Sequence, residues 1–250
     1  MRIVAIIPAR MASTRFPGKP LKEISGLPMV EHVRRRALLS GAFAEVAVAT
    51  CDREIAQAVR RHGGRILMTS PAHAAATDRV REAARALSCT HVVNVQGDEV
   101  LVPPEDLKRM ALAVRRRPEI PAWNAVAPIA GKSILKDRSV VKCLVSITGR
   151  ILFCTRECGP FEPVRALLGV LAYRLDYLNR YASLSRTPLE KAESIDQSRI
   201  LEHDEWLQSV PFGRDYPGVN RPSELAAAKR ILASDPKQRA ILKQVLSYGN

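Results

Sequence analysis

Aromatic residues make up only 5% of this 250-residue chain, too few for the base-stacking surface of a single-strand nucleic-acid binder. The five cysteines, Cys51, Cys89, Cys143, Cys154 and Cys158, include no Cys-x-x-Cys pair. Scattered and odd in number, they suit reduced thiols in a cytoplasm rather than a disulfide frame or a zinc site. The apolar run at the N-terminus is closed by Pro8, too soon for a signal peptide or a membrane span. Internal repeats, low-complexity runs and linkers are missing. So is any Ser/His/Asp or Cys/His arrangement that would signal covalent catalysis. These absences point to a soluble, cytoplasmic protein with no membrane partner.

What is present is core and positive charge. At 46% hydrophobic, residues 1–250 can bury a large core as one domain. The net charge of +14 comes from clusters such as Arg34-Arg35-Arg36, Arg60-Arg61 and Arg115-Arg116-Arg117. That balance favours nucleotides, acidic substrates or, non-specifically, nucleic acid. On the helix that should follow Gly26-Leu27-Pro28, the periodicity puts Val30, Val33, Ala37 and Leu38 inside and the first arginine run outside.

Strand and helix patterns alternate four times along the first half. Arg2–Ile7, Glu45–Thr50, Arg65–Met68 and His91–Val95 read as short buried strands. Asp52 stands where it would cap the second helix. Short connections of this kind predict a parallel α/β sheet with right-handed crossovers. Further on, Trp123–Ile129 reads as a strand, Val140–Phe153 as a hairpin, and Leu168–Arg174 and Val210–Phe212 as two more strands. One helix is expected from Thr187 through Leu201, and two amphipathic helices close the chain.

Two segments carry chemistry. Ala9 to Leu21 places Arg10, Arg15 and Lys19, with the hydroxyls of Ser13 and Thr14, on a loop stiffened by prolines at the carboxyl end of the first strand. In open α/β sheets ligands bind at that edge, and Gly18 lets backbone approach a ligand. A polyanion such as a triphosphate fits three cations there, whereas a basic run elsewhere would read as a solvated face. The fourth strand ends in Gln96-Gly97-Asp98-Glu99. A carboxylate so placed can bind Mg²⁺ on a nucleotide. On the residues alone, a turn or capping role explains Asp98 equally well.

Ile-Ile-Pro-Ala-Arg-x-x-Ser-Thr-Arg-x-Pro-Gly-Lys-Pro-Leu together with Val-Gln-Gly-Asp-Glu closely resembles the sugar-acid cytidylyltransferases, nearest the CMP-Kdo synthetases (3-deoxy-manno-octulosonate cytidylyltransferases). The resemblance implies a Rossmann-like nucleotidyltransferase sheet flanked by helices, with a small antiparallel acceptor-side and dimerisation lobe at about 130–185. It implies a homodimer that transfers CMP from CTP to an acidic acceptor and releases pyrophosphate, without a specific nucleic-acid partner. Arg10, Arg15 and Lys19 would hold the phosphates, and Ala9, Ser13, Thr77, Arg79 and Gln96 would lie around the nucleotide. Asp98 would bind Mg²⁺, with Asn220 at the second metal position. On the acceptor side, the resemblance points to Arg156, Gln197, Leu167 and Leu171. An arginine suits bidentate carboxylate binding, although Arg156 reads equally well as a surface residue at a strand end.

Four departures from the family pattern fall outside the phosphate loop. His-x-Ser-Gly-Thr is replaced by His73-Ala74-Ala75-Ala76-Thr77, and His-x-Gly-Ile-Tyr by a segment with Leu167 and Leu171. The stretch after Arg156 is shorter. Gly-Val-Asp-Thr-Pro becomes Gly218-Val219-Asn220-Arg221-Pro222, and an asparagine offers an oxygen but no charge. Three readings stand: CMP transfer to a 3-deoxy-ulosonic acid such as Kdo or a relative, the same transfer to another small acid such as a phosphonate, and a non-catalytic nucleic-acid binder. The two leucines predict that the acceptor is not ordinary Kdo.

Overall fold

In the computed structural model the first strand, β1 (Ile3–Pro8), is buried along its whole length. An unbroken apolar run of this kind needs cover on both faces, and helices packed on the two sides of the sheet supply it. The structure describes residues 1–13, 15–73, 75–129, 131–159 and 163–249, without the side chains of 132 and 133. Thr14, Ala74 and part of the shortened stretch after Arg156 lie outside the described residues.

After β1 come a 3-10 turn at Lys19–Leu21, the two-residue strands β2 (Glu23–Ile24) and β3 (Leu27–Pro28), and α1 (Met29–Leu39). Alternation continues with β4 (Glu45–Thr50), α2 (Arg53–Arg61), β5 (Arg65–Met68), α3 (Ala76–Ala84), β6 (His91–Val95) and α4 (Pro104–Arg116). Next are β7 (Ala122–Pro128), the short α5 (Lys132–Lys136), β8 (Lys142–Val145), β9 (Ile151–Thr155) and β10 (Val164–Arg174). The remainder is α6 (Leu175–Tyr181), α7 (Pro188–Glu193), α8 (Gln197–Glu202), β11 (Leu207–Pro211), α9 (Pro222–Ser234) and α10 (Pro236–Ser247).

The main sheet runs in the order β11-β7-β10-β6-β1-β4-β5, and the β8–β9 hairpin joins it through β10. Strands β6, β1, β4 and β5 are parallel, and β11 is parallel to β7. β10 runs against its neighbours β6 and β7, and the β8–β9 hairpin is antiparallel within itself and to β10. The expected α/β class with a mostly parallel sheet flanked by helices holds. Alternation along β1 sends Ile3, Ala5 and Ile7 into one core with α1, α2 and α4. Val4 and Ile6 enter a second core with α3, α6 and α8, as the two-residue period of a strand requires.

Three local expectations fail. The arginines of α1 do not face solvent: Arg34, Arg35 and Arg36 are 4%, 5% and 0% exposed. The cause is α10, which covers the face that α1 would otherwise show to water. Arg35 donates to the carbonyl of Val245 at 2.8 Å and Arg36 to Oε1 of Gln238 at 3.0 Å. Arg34 forms a bidentate pair with Glu31, 2.7 Å on both arms. Second, the long helix expected from 187 to 201 is two short ones, because Ser194 sits in the left-handed region at φ 53°. Third, Asp52 does stand at the start of α2, but its carboxylate accepts from the backbone N–H of Met11 at 2.7 Å instead of capping that helix.

Candidate active site

The phosphate-loop candidates and Asp98 meet because β1 and β6 are parallel neighbours ending at the same edge. The loop after β1 is pinned at Met11, whose N–H bonds Asp52 and whose carbonyl accepts from Gly18 at 3.2 Å. Gly18 takes φ +67° to close that turn, a conformation glycine adopts without strain. Ser13 Oγ accepts from the N–H of Phe16 at 3.3 Å. Lys19 then reaches across to Asp98, Nζ to Oδ2 2.9 Å, with both side chains about four-fifths buried. The turn after β6 lies so near β1 that a Cβ on Gly97 would stand 3.0 Å from the carbonyl oxygen of Pro8.

These residues line a cavity of about 290 Å³. Ala9, Arg10, Ser13, Arg15 and Lys19 form one side of it, and Gln96, Asp98 and Asn220 another. Arg79, on α3, also lines it. It is buried and donates to Thr69 Oγ1. His73, at the rim, pairs with Glu82, and that bond together with the N–H of Ser70 holds the Glu82 carboxyl below its usual range.

Sequence reasoning gave no role to Glu99. It is buried, and its Oε1 accepts from the N–H of Gly169 at 2.8 Å. Burial first, and the charge of Asp98 second, push its pKa up to about 8. The carbonyl of the same Gly169 accepts from the N–H of Gln96 at 2.9 Å. A Cβ at 169 would lie 2.5 Å from Glu99 Oε1 and 3.0 Å from Gln96. β10 is thereby stitched to the Gln-Gly-Asp-Glu turn by the N–H and the carbonyl of one residue, in a space that only glycine fits. The signal was present in the acidic neighbour of Asp98, but its partner lies 70 residues away.

A second, larger cavity of about 610 Å³ is bordered by Gly169 and shares Arg10, Arg15 and Gln96 with the first. Arg156, Leu167, Leu171, Gln197 and Thr77 all line it. Their chemistry differs from their sequence roles. Arg156 donates from Nε to the carbonyl of Glu193 at 2.7 Å and from Nη1 to that of Arg138 at 3.0 Å. Its Nη2 lies 3.3 Å from the carbonyl of Ser194. The guanidinium thus clamps the break between α7 and α8 to the loop before β8, and the buried Lys142, bonded to the carbonyl of Arg156 at 3.0 Å, holds the clamp in place. Gln197 gives its amide N–H to Asn124 Oδ1 at 2.9 Å. Thr77 is buried and bonds the Tyr173 hydroxyl.

A cationic loop and a carboxylate thus face each other across the carboxyl edge of an open α/β sheet. The chain belongs to the cytidylyltransferase family, whose model matches residues 4–207. It is 43% identical over 239 residues to the 3-deoxy-manno-octulosonate cytidylyltransferase of Myxococcus xanthus, covering 92% of this chain and 96% of that protein. The Geobacter metallireducens enzyme of the same name is 38% identical over 242 residues, covering 90% and 95%. Among solved structures, a CMP:2-keto-3-deoxy-manno-octonic acid synthetase complexed with CTP superposes with a TM-score of 0.89 at 32% identity, over 94% of this chain and 100% of that one. The family expected from the sequence and its enzymatic character are borne out. No helix among the described residues is long and apolar enough to cross a membrane.

Proposed function

We propose that this enzyme transfers CMP from CTP to an acidic acceptor. An acceptor oxygen attacks the α-phosphorus in line, the new P–O bond forms as the bond to the β-phosphate oxygen breaks, and pyrophosphate leaves. The acceptor's proton, where it carries one, passes to water. The observation that carries this reading is the Lys19–Asp98 pair at 2.9 Å across a cavity that also holds Arg10 and Arg15. Arg10, Arg15 and Lys19 stabilise charge on the phosphates and on departing pyrophosphate, which is where phosphoryl-transfer catalysis gains most. Ala9, Ser13, Arg79 and Gln96 border the nucleotide.

The donor set suits Mg²⁺: one carboxylate, Asp98, one amide, Asn220, and open space for phosphate and water oxygens, which is how Mg²⁺ is usually held. No group of three or more His, Cys, Asp or Glu among the described residues forms a self-sufficient metal cage, so Asp98 and Asn220 would bind it jointly with the nucleotide. Bound there, Mg²⁺ supplies charge compensation at the α-phosphate. Exposed Ile147, Leu152 and Phe153 on the β8–β9 hairpin support a homodimer formed through that lobe, and sedimentation velocity tests it. All five cysteines are free, which supports a cytoplasmic setting.

The test is Mg²⁺-dependent pyrophosphate release with CTP, ATP, GTP and UTP against acidic acceptors. Release specific to CTP is expected. No CTP binding, combined with a salt-dependent shift of nucleic acid in a gel, would return the protein to the non-catalytic reading.

A further inference from the structure

Asp52 stands at the start of α2 without capping it. Its Oδ2 instead accepts from the backbone N–H of Met11 at 2.7 Å, across 41 positions of sequence. The two residues meet because β1 and β4 are parallel neighbours, in register from Val4 to Pro8. The ladder runs one step further, with the N–H of Ala9 donating to the carbonyl of Ala49 at 2.9 Å. Both chains then leave the sheet at the same edge. The N–H of Asp52 donates to the buried Thr50 hydroxyl oxygen at 3.1 Å, which anchors the residue that carries the carboxylate.

Met11 is where the phosphate loop closes on itself. Its carbonyl accepts from the N–H of Ser13 at 2.9 Å and from that of Gly18 at 3.2 Å, and its side chain packs against the core. Neither Met11 nor Asp52 lines a cavity, whereas Arg10 on one side of Met11 and Ala12 and Ser13 on the other line the smaller one. A pin at Met11 therefore sets the course of the backbone in both directions without touching a ligand. Bonds from an N–H to an ionised carboxylate are among the stronger ones in proteins. Without this one, a bound nucleotide would have to order the loop itself, and that cost comes out of its affinity. We infer that Asp52 is a positioning residue for the nucleotide: through the Met11 N–H it holds the loop after β1 in its CTP-binding shape. This rests on the cytidylyl-transfer reading and adds to its nucleotide side a residue that meets no phosphate.

The experiment measures CTP binding by calorimetry in the presence of Mg²⁺, and amide hydrogen exchange in the free protein, for the wild type, Asp52→Ala, Asp52→Ser and Asp52→Asn. Alanine removes the acceptor. Serine keeps a side chain that caps helices well but is one bond shorter than aspartate. Asparagine keeps an oxygen at the same reach, able to accept from Met11. The expected result is CTP affinity weaker by about tenfold or more with alanine and with serine. Exchange at Met11 and Gly18 should be faster in both, with β1 and β4 unchanged. Asparagine should stay within about threefold of the wild type. Serine or alanine binding CTP as the wild type does overturns the inference, the serine result leaving Asp52 only a helix cap. Asparagine falling as far as alanine also overturns it, because charge and not the hydrogen bond would then be what matters. So does loss of folded protein with alanine and serine alike, which makes the contact a support of the fold. Wild-type protein that fails to bind CTP sinks the transfer reading, and this inference with it.

Discussion

The arginines of α1 and the cations of the loop after β1 carry the same charge to opposite ends. Arg34, Arg35 and Arg36 are enclosed and bonded within the protein, to Glu31, to Val245 and to Gln238. Burial even lowers the pKa of Arg36, to about 10. Arg10 and Arg15 are exposed at the mouth of two cavities, and Lys19 faces a lone carboxylate, Asp98. A guanidinium surrounded by carbonyls and carboxylate holds helices together. One that borders open space at a strand edge is the kind we propose holds a ligand. Charge in a sequence does not distinguish these, but position on the sheet does.

The sharpest break of that comparison is Glu31→Ala. It strands Arg34 and Arg35 without their buried counter-charge, which should cost about 3–5 kcal/mol of stability, read from urea unfolding. The folded fraction should keep its normal turnover. Asp98→Asn should do the reverse, lowering Mg²⁺-dependent turnover about 100-fold or more with little change in melting temperature. Lys19→Ala should follow it in kind; a collapse of thermal stability in either variant would make the pair structural.

A third test uses acid. His32 lies fully buried beside the same arginines, its Nε2 2.8 Å from the carbonyl of Ile24. Burial, with the charges of Arg36 and Arg35 behind it, lowers its pKa from 6.5 to about 4. The unfolded chain therefore takes up a proton that the folded one refuses. Stability from this residue is full above pH 6.5 and declines toward pH 4, by at most about 3 kcal/mol. His32→Gln should flatten that part of the profile. The smallest effect is expected at Arg115 and Arg116, exposed on α4. Alanine there should change stability by no more than about 0.5 kcal/mol, which would set a third, solvated arginine cluster beside the other two.

Much of this was legible because the decisive contacts in the first half are short-range. The βα alternation, the stripe Val30/Val33/Ala37 and the loop after β1 depend on periodicity and local turn chemistry, and all lie where the pattern puts them. The arginine run of α1 misled because its cover, α10, comes some 200 residues later. The break at Ser194 was hidden for a related reason. Pro188, Leu189 and Glu190 start a good helix, and what stabilises its early end is Arg156, from another strand. Glu99 and Gly169 show the same limit: each is ordinary in its own segment, and their meaning is the contact between them.

The reversed direction of β10 has a consequence for how such an enzyme diversifies. Parallel strands deliver their carboxyl ends to one edge, where β1 and β6 present the loops proposed above to hold the phosphates. β10 arrives the other way, and its opening half alternates the half-buried Arg165, Leu167 and Gly169 with Ala166 and Leu168, which belong to the core. Leu167 can be exchanged there without touching the residue that bonds this half of β10 to the Gln96–Glu99 turn, which is Gly169. The molecule is in effect a nucleotide engine with a replaceable jaw, and Leu167 is on the jaw.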